Sequence, residues 1–224
     1  MIVRFAAAPR AAGLDYDAFQ DHWRGEHGGL AGQIPGLKAY VQNHAVLRDG
    51  RPLFPWPGFD SLAELEFESL EAMDAGFGSE FYRDAVVADE QVLVDKTRFS
   101  LLLCSRRVLS GGSRPEGEGA VKLISFFGLG ARVEPEALSE ALAGPYREAV
   151  AAAPALHHEQ LLEIPGAHAG RQAPFCAAAD LLWFADVDDA LAFVDGPVGD
   201  RARGALIGLI GGVERLLARP VRVV

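Results

Sequence analysis

His27 is the residue of this chain best suited to moving a proton. Phe19, Trp23 and His27 recur at every fourth residue, the spacing of one face of a helix, so an imidazole closes a stripe of large apolar rings. Asp15 is an N-cap candidate, Asp17 suits the first turn and Gly28-Gly29 weakens the far end, which predicts a helix over Tyr16 to Leu30. Advancing about 100° per residue from Phe19 puts Trp23 at about 40°, His27 at about 80°, Glu26 at about −20° and His22 at about −60°. His27 therefore falls at the edge of the buried stripe, and His22 is expected to be solvated. Partial burial tunes an imidazole while leaving it access to a bound molecule. A core histidine tied to a backbone carbonyl fits the same position.

Two strand-like runs bring further polar groups. From Phe59 to Phe67, Asp60, Leu62, Glu64 and Glu66 share one face and Phe59, Ser61, Ala63, Leu65 and Phe67 the other. If both faces of the sheet are covered, these carboxylates need partners, for which Lys38, Arg4 and His27 are candidates. From Leu37 to Val46, Lys38, Tyr40, Gln42 and His44 fall on one parity. Such a row is a solvated strand face or a cavity wall.

The elements that must position these residues occur twice. Each half opens with an apolar strand, Met1 to Ala8 and Val121 to Gly128, followed by an amphipathic helix. Ile34-Pro35-Gly36-Leu37 then matches Ala153-Pro154-Ala155-Leu156 at an offset of 119 residues. Phe59 to Phe67 and Phe175 to Phe184 each lead into a second helix. The order is β-α-β-β-α-β twice, the ferredoxin-like unit. This predicts an α+β fold of two such domains, residues 1–109 and 120–224, joined by a Gly-rich linker over 110–119. Each sheet carries helices on one face only, so the two are expected to cover each other as an intrachain pseudo-dimer. At the same offset, Phe19, Trp23 and His27 become Leu138, Leu142 and Tyr146, while Gly144-Pro145 interrupts the helix. Of the acidic strand the second copy keeps Asp180, aligned with Ala63. The larger functional cavity is accordingly expected in the first copy.

A formal net charge of −10 without a basic stripe argues against nucleic acid. Cys104 and Cys176 lie in apolar runs without a C-x-x-C partner and read as buried free thiols, with no metal site indicated. His157 and His158 point to opposite strand faces and make a poor metal pair. Ala205 to Val213 is too short to span a bilayer, and a cytoplasmic protein is expected. Gly204 to Gly212 lacks the context of a nucleotide loop and reads as a helix-to-strand transition. The loop Asp49 to Gly58, with Phe54 and Trp56 among prolines, is either a cavity cover or an interface.

The first copy resembles the EthD family of the dimeric α/β-barrel superfamily. The resemblance rests on Phe19-x-x-x-Trp23-x-x-x-His27, Pro35-Gly36-Leu37 with Tyr40-Val41-Gln42-Asn43-His44, Phe59-Asp60-Ser61-Leu62-Ala63-Glu64-Leu65 with Phe67, and Ala88-Asp89-Glu90. It implies a cavity between helices and sheet, in a barrel closed by pairing two units. Relatives in the superfamily include cofactor-free monooxygenases, decarboxylases, cyclases and isomerases of aromatic or polyketide-like compounds, and haem enzymes. The site so implied is His27, Asp60 and Glu64 as catalytic groups, with Trp23, Tyr40 and His44 around a substrate. Asp89 matches the pattern without a role.

The leading expectation is a cofactor-independent enzyme in which His27 moves a proton on a small apolar substrate, with isomerisation, dehydration, decarboxylation or oxygenation in reach. The alternatives are a non-catalytic ligand-binding or scaffold protein, and a haem enzyme with His27 or His44 as axial ligand. The expected partner is a small apolar molecule, with further self-association left open.

Overall fold

The computed structural model describes residues 1–115 and 119–224; residues 116–118 of the predicted linker lie outside the described residues. The first half comprises β1 (Ile2–Ala8), α1 (Tyr16–His22), α2 (Gly28–Ala31), β2 (Leu37–Ala45), a ribbon of β3 (Leu47–Arg48) and β4 (Arg51–Pro52), β5 (Ser61–Phe67), α3 (Leu70–Phe77), α4 (Val87–Leu93) and β6 (Ser100–Ser110). The second half comprises β7 (Val121–Leu129), α5 (Pro135–Ala141), α6 (Arg147–Val150), β8 (His157–Glu163), β9 (Ala178–Phe184), α7 (Val187–Asp195), α8 (Pro197–Gly204) and β10 (Ile210–Arg222). Asp15 caps α1 as expected, accepting from the amides of Asp17 and Ala18. Ser69 and Asp186 cap α3 and α7 in the same way, each accepting from the amide three residues on.

Eight strands close into one antiparallel barrel in the order β1-β5-β2-β10-β7-β9-β8-β6. Within it, β6-β1-β5-β2 and β10-β7-β9-β8 each show the ferredoxin-like order. The halves meet edge to edge: β2 pairs with β10, with His44 opposite Arg219, and β6 pairs with β8, with Arg106 opposite Leu161. Closure leaves no barrel strand with an open edge.

Strand parity sorts every residue to one of two layers. On β1, Val3, Phe5 and Ala7 enter the barrel interior with Leu102, Ile124, Phe126, Leu161, Leu181 and Trp183. The alternate residues lie beneath the helices of their own half, where Tyr40, Leu65, Phe67, Met73 and Val86 form one core and Leu123, Leu138, Leu142, Tyr146, Leu182 and Phe184 another. Cys104 and Cys176 are buried free thiols. The 49–58 loop sends Leu53 and Phe54 onto the second half's core and covers no part of the first-half cavity described below. Gly204 is indeed the end of a helix, with β10 beginning at Ile210. Among the described residues no helix is long and apolar enough to cross a membrane.

The acidic face of β5 points into the barrel, and its partners are none of those expected. Glu64 is ion-paired to Lys122 and, at 2.9 Å, to Arg106. Arg106 also meets Glu66 and Glu159, and Arg114 bridges the same two carboxylates at 3.2 and 2.8 Å. Burial opposes ionisation of Glu64, but Lys122, Arg106 and Arg114 outweigh it and hold the carboxyl well below its ordinary value. Lys38 instead faces solvent. The partners come from β6, β7 and the segment between them, which sequence parity alone cannot bring opposite β5.

Candidate active site

Between α1 and α2 the chain takes one π-helical turn, Trp23–His27, with the amide of Gly28 donating to the carbonyl of Trp23 five residues back. One extra residue in a turn rotates the downstream residues back by about 100° relative to an ideal helix. His27 thus moves from the edge of the stripe to near its centre and is buried at 9% exposure, whereas Glu26 swings out to solvent. The ideal-helix projection misplaced both residues for this reason.

The imidazole is held by a carboxylate from the neighbouring helix α4. Asp89 on α4 accepts from His27 Nδ1 at 2.7 Å through one oxygen and from His22 Nε2 at 2.5 Å through the other. Burial works against the Asp89 charge, but hydrogen bonds from His27 and His22 and their charges prevail and lower its pKa. An ionised carboxylate only accepts, so Nδ1 of His27 carries the proton and Nε2 is the basic nitrogen. Nε2 has no protein partner among the described residues, and His27 lines a cavity of about 280 Å³ between helices and sheet. His22, expected to be solvated, is 29% exposed and serves as the second donor to Asp89.

The cavity is walled mainly by Ala6, Ala8, Trp23, Ile34, Ala63, Leu65 and Phe77. Tyr40 joins it from β2, its hydroxyl oxygen accepting from Gln42 Nε2 at 3.1 Å. Burial pushes the Tyr40 hydroxyl up to about 12, so it remains a proton donor at neutral pH. Tyr82 donates to Glu90, which is also ion-paired to Lys96.

Of the residues expected at the site, Trp23, His27 and Tyr40 come together and three do not. Asp60 stands at the start of β5, accepting from the Arg10 amide at 2.9 Å and its guanidinium at 2.8 Å, outside the cavity. Glu64 lies on the barrel side of the sheet, because alternate strand residues face opposite ways. His44 lies under the helix but not in the cavity wall. Its Nδ1 engages Gln20 at 2.6 Å, its Nε2 engages Gln42 at 3.1 Å and its ring sits 4.5 Å from Trp23. Neither ring nitrogen of His44 is free to ligate an iron, so of His27 and His44 it is His27, through Nε2, that keeps an open nitrogen. Asp89 was missed as the orienting group. Its signal was a carboxylate sharing the Val86 and Leu93 face of an otherwise apolar helical stripe. His22, Glu26 and Asp89 also offer one donor atom each within 4.8 Å of one another, a set that can chelate a divalent cation.

The corresponding space in the second half is nearly filled. Beside Tyr146 the void is about 20 Å³, and the tyrosine hydroxyl donates to Asp180 at 2.9 Å. His158 and Gln160 bind the same carboxylate at 2.6 and 3.2 Å. Tyr146 thus takes Asp180 as an acidic partner. Of the two halves, the first holds the larger cavity beneath its helices. A space of about 390 Å³ at one end of the barrel, bounded by Glu66, Arg114, Lys122, Trp183 and Pro220, exceeds it.

The architecture is thus a closed eight-stranded antiparallel barrel of two ferredoxin-like sheets in one chain, with a cavity beneath the first-half helices that a histidine-carboxylate pair lines. More particularly, residues 11–97 match the model of the EthD domain. Solved structures with the same fold include an anthrone oxidase-like protein, 13% identical over 99% of this chain and 92% of that one, with a TM-score of 0.66. A putative monooxygenase from Lactobacillus acidophilus NCFM is 13% identical, covering 100% and 94% of the two chains, with a TM-score of 0.58. The putative chlorite dismutase TA0507 is 10% identical over 99% and 95%, with a TM-score of 0.53. No curated protein sequence matches the chain.

Proposed function

We propose that the first-half cavity is the active site of a cofactor-independent enzyme in which His27 Nε2 removes a proton from a small, largely apolar substrate. The observation that carries this reading is the His27–Asp89 pair with its basic nitrogen turned to an apolar cavity. Asp89 fixes the tautomer and stabilises the imidazolium that forms, and Tyr40 supplies a donor for a developing oxyanion. Walls of Trp23, Ile34, Leu65 and Phe77 exclude water and favour an aromatic or polyketide-like ring. We read the repeated element order as a tandem duplication fused into a pseudo-dimer, in which the second half lost its cavity and kept the sheet that completes the barrel.

Two proteins of the same fold are named for oxidation, and one of those names, anthrone oxidase-like, suggests a first probe. Removing a benzylic proton from anthrone gives a stabilised anion, which dioxygen converts to anthraquinone with release of water. The test incubates the full chain with anthrone and with non-oxidisable enolisable ketones, following oxygen uptake and exchange of the acidic proton for deuterium. Catalysed exchange that falls about 10²-fold in His27→Ala, with melting curves unchanged, supports proton abstraction. Exchange at the uncatalysed rate with every compound would leave a ligand-binding protein.

A further inference from the structure

We infer that Arg4 is the anion-binding group of the first-half cavity, so that the molecule taken there carries a carboxylate or enolate oxygen on an otherwise apolar body. Arg4 sits on β1 between Val3 and Phe5, which enter the barrel, and parity therefore sends its side chain to the helix side, where it lines the same cavity as His27. Its guanidinium lies 4.2 Å from the centre of the Phe77 ring and 5.1 Å from that of Phe99. Rings meet a guanidinium through its plane and leave the N–H edge unused.

That edge has no hydrogen-bond acceptor among the described residues, and Tyr82 and Glu90 act on it only through charge at longer range. Arg4 makes no hydrogen bond or ion pair among the described residues. The nearest acidic group in the cavity wall, Glu90, is occupied by the Tyr82 hydroxyl and by Lys96. Arg4 is half-buried, and a charge withdrawn from bulk water is ordinarily paired, because an unpaired one forfeits part of its hydration for nothing. Arg106 and Lys122, inside the barrel, follow that rule, each having carboxylate partners. The charged side chains lining the cavity, Arg4, Lys96 and Glu90, sum to one positive charge in a protein of net charge −10. Five N–H donors in a rigid fork match a planar pair of oxygens. The apolar walls would receive the rest of the molecule, with His27 Nε2 facing the same space.

This assignment rests on the cavity being the reacting site, but its test does not need turnover. The full chain is titrated calorimetrically with 1-naphthoate and with 1-naphthamide, which differ in the charge of one planar group. The native chain is expected to bind the acid about tenfold or more tightly than the amide, as for hydrogen bonds to a charged group. Arg4→Gln should abolish the difference, Arg4→Lys should restore part of it, and His27→Ala should keep it. Equal binding of acid and amide by the native chain would overturn the assignment without recourse to any variant. So would discrimination that survives in Arg4→Gln, or that disappears in His27→Ala. Discrimination by the native chain without proton exchange on any substrate would leave Arg4 as the anion site and remove the catalytic reading.

Discussion

One carboxylate organises the site, since Asp89 receives both His22 and His27 and sets which nitrogen of His27 is basic. Replacing it by asparagine keeps the shape but lets the amide donate, so the wrong tautomer becomes available. Asp89→Asn is expected to lower turnover by about 10²-fold with little change in KM, read from initial rates once a substrate is in hand. An unchanged rate would show that His27 needs no orienting group. Chelator treatment separates the alternative use of His22, Glu26 and Asp89: activity lost with EDTA and restored by a divalent cation would assign them to a metal. His44 gives a prediction on stability. Burial, with a smaller contribution from Arg24, lowers its pKa to about 4, so the folded state resists the proton that the unfolded chain accepts. Stability from this residue is complete above about pH 6.5 and is lost as pH falls towards 4, about 3 kcal/mol in all. Urea unfolding of native chain and His44→Gln from pH 7.5 to 4.5 should show a steeper decline for the native chain.

Among the elements, the π turn at Trp23–His27 decides what enters the cavity. Deleting Gly25, which is exposed and has open space around it, should close the bulge to an α-turn and leave His27 facing the cavity, because the lost residue takes back the rotation that the extra one added. Retained helicity with turnover and the naphthoate site kept is the expected result, and loss of turnover would mean that the extra residue itself shapes the site. The order of strands and helices was legible because strand parity and the helical stripe survive in both halves, as Phe59 to Phe67 shows. His27, Trp23 and Tyr40 were legible for the same reason. Glu64 and Asp60 were misplaced because sequence shows that a strand has two faces but not which one the helices cover. Asp89 was left without a role because its contact with His27 spans 62 residues and joins two different helices.

For the molecule as a whole, the ion cluster of Glu64, Lys122 and Arg106 ties the halves together inside the barrel. Lys122→Met should destabilise the chain by about 3–5 kcal/mol in urea unfolding, because it leaves Glu64 charged and buried without its closest partner. The double change with Glu64→Gln should recover much of that loss, and equal costs for single and double variants would argue against a coupled pair. Expressed alone, residues 1–115 would present β2 and β6 as open edges. They are expected to elute as a self-paired dimer, β2 of one copy against β6 of the other, and a stable monomer by light scattering would contradict that pairing. The short connection between β6 and β7 has a kinetic meaning. Two separate chains must find each other, and their complex falls apart on dilution, whereas a tether holds its partner at an effective concentration of about millimolar whatever the cell contains. Specific activity of the intact chain should therefore stay constant down to the lowest assayable concentration. A bisected chain should lose activity there, with a midpoint that measures the strength of the two edge pairings.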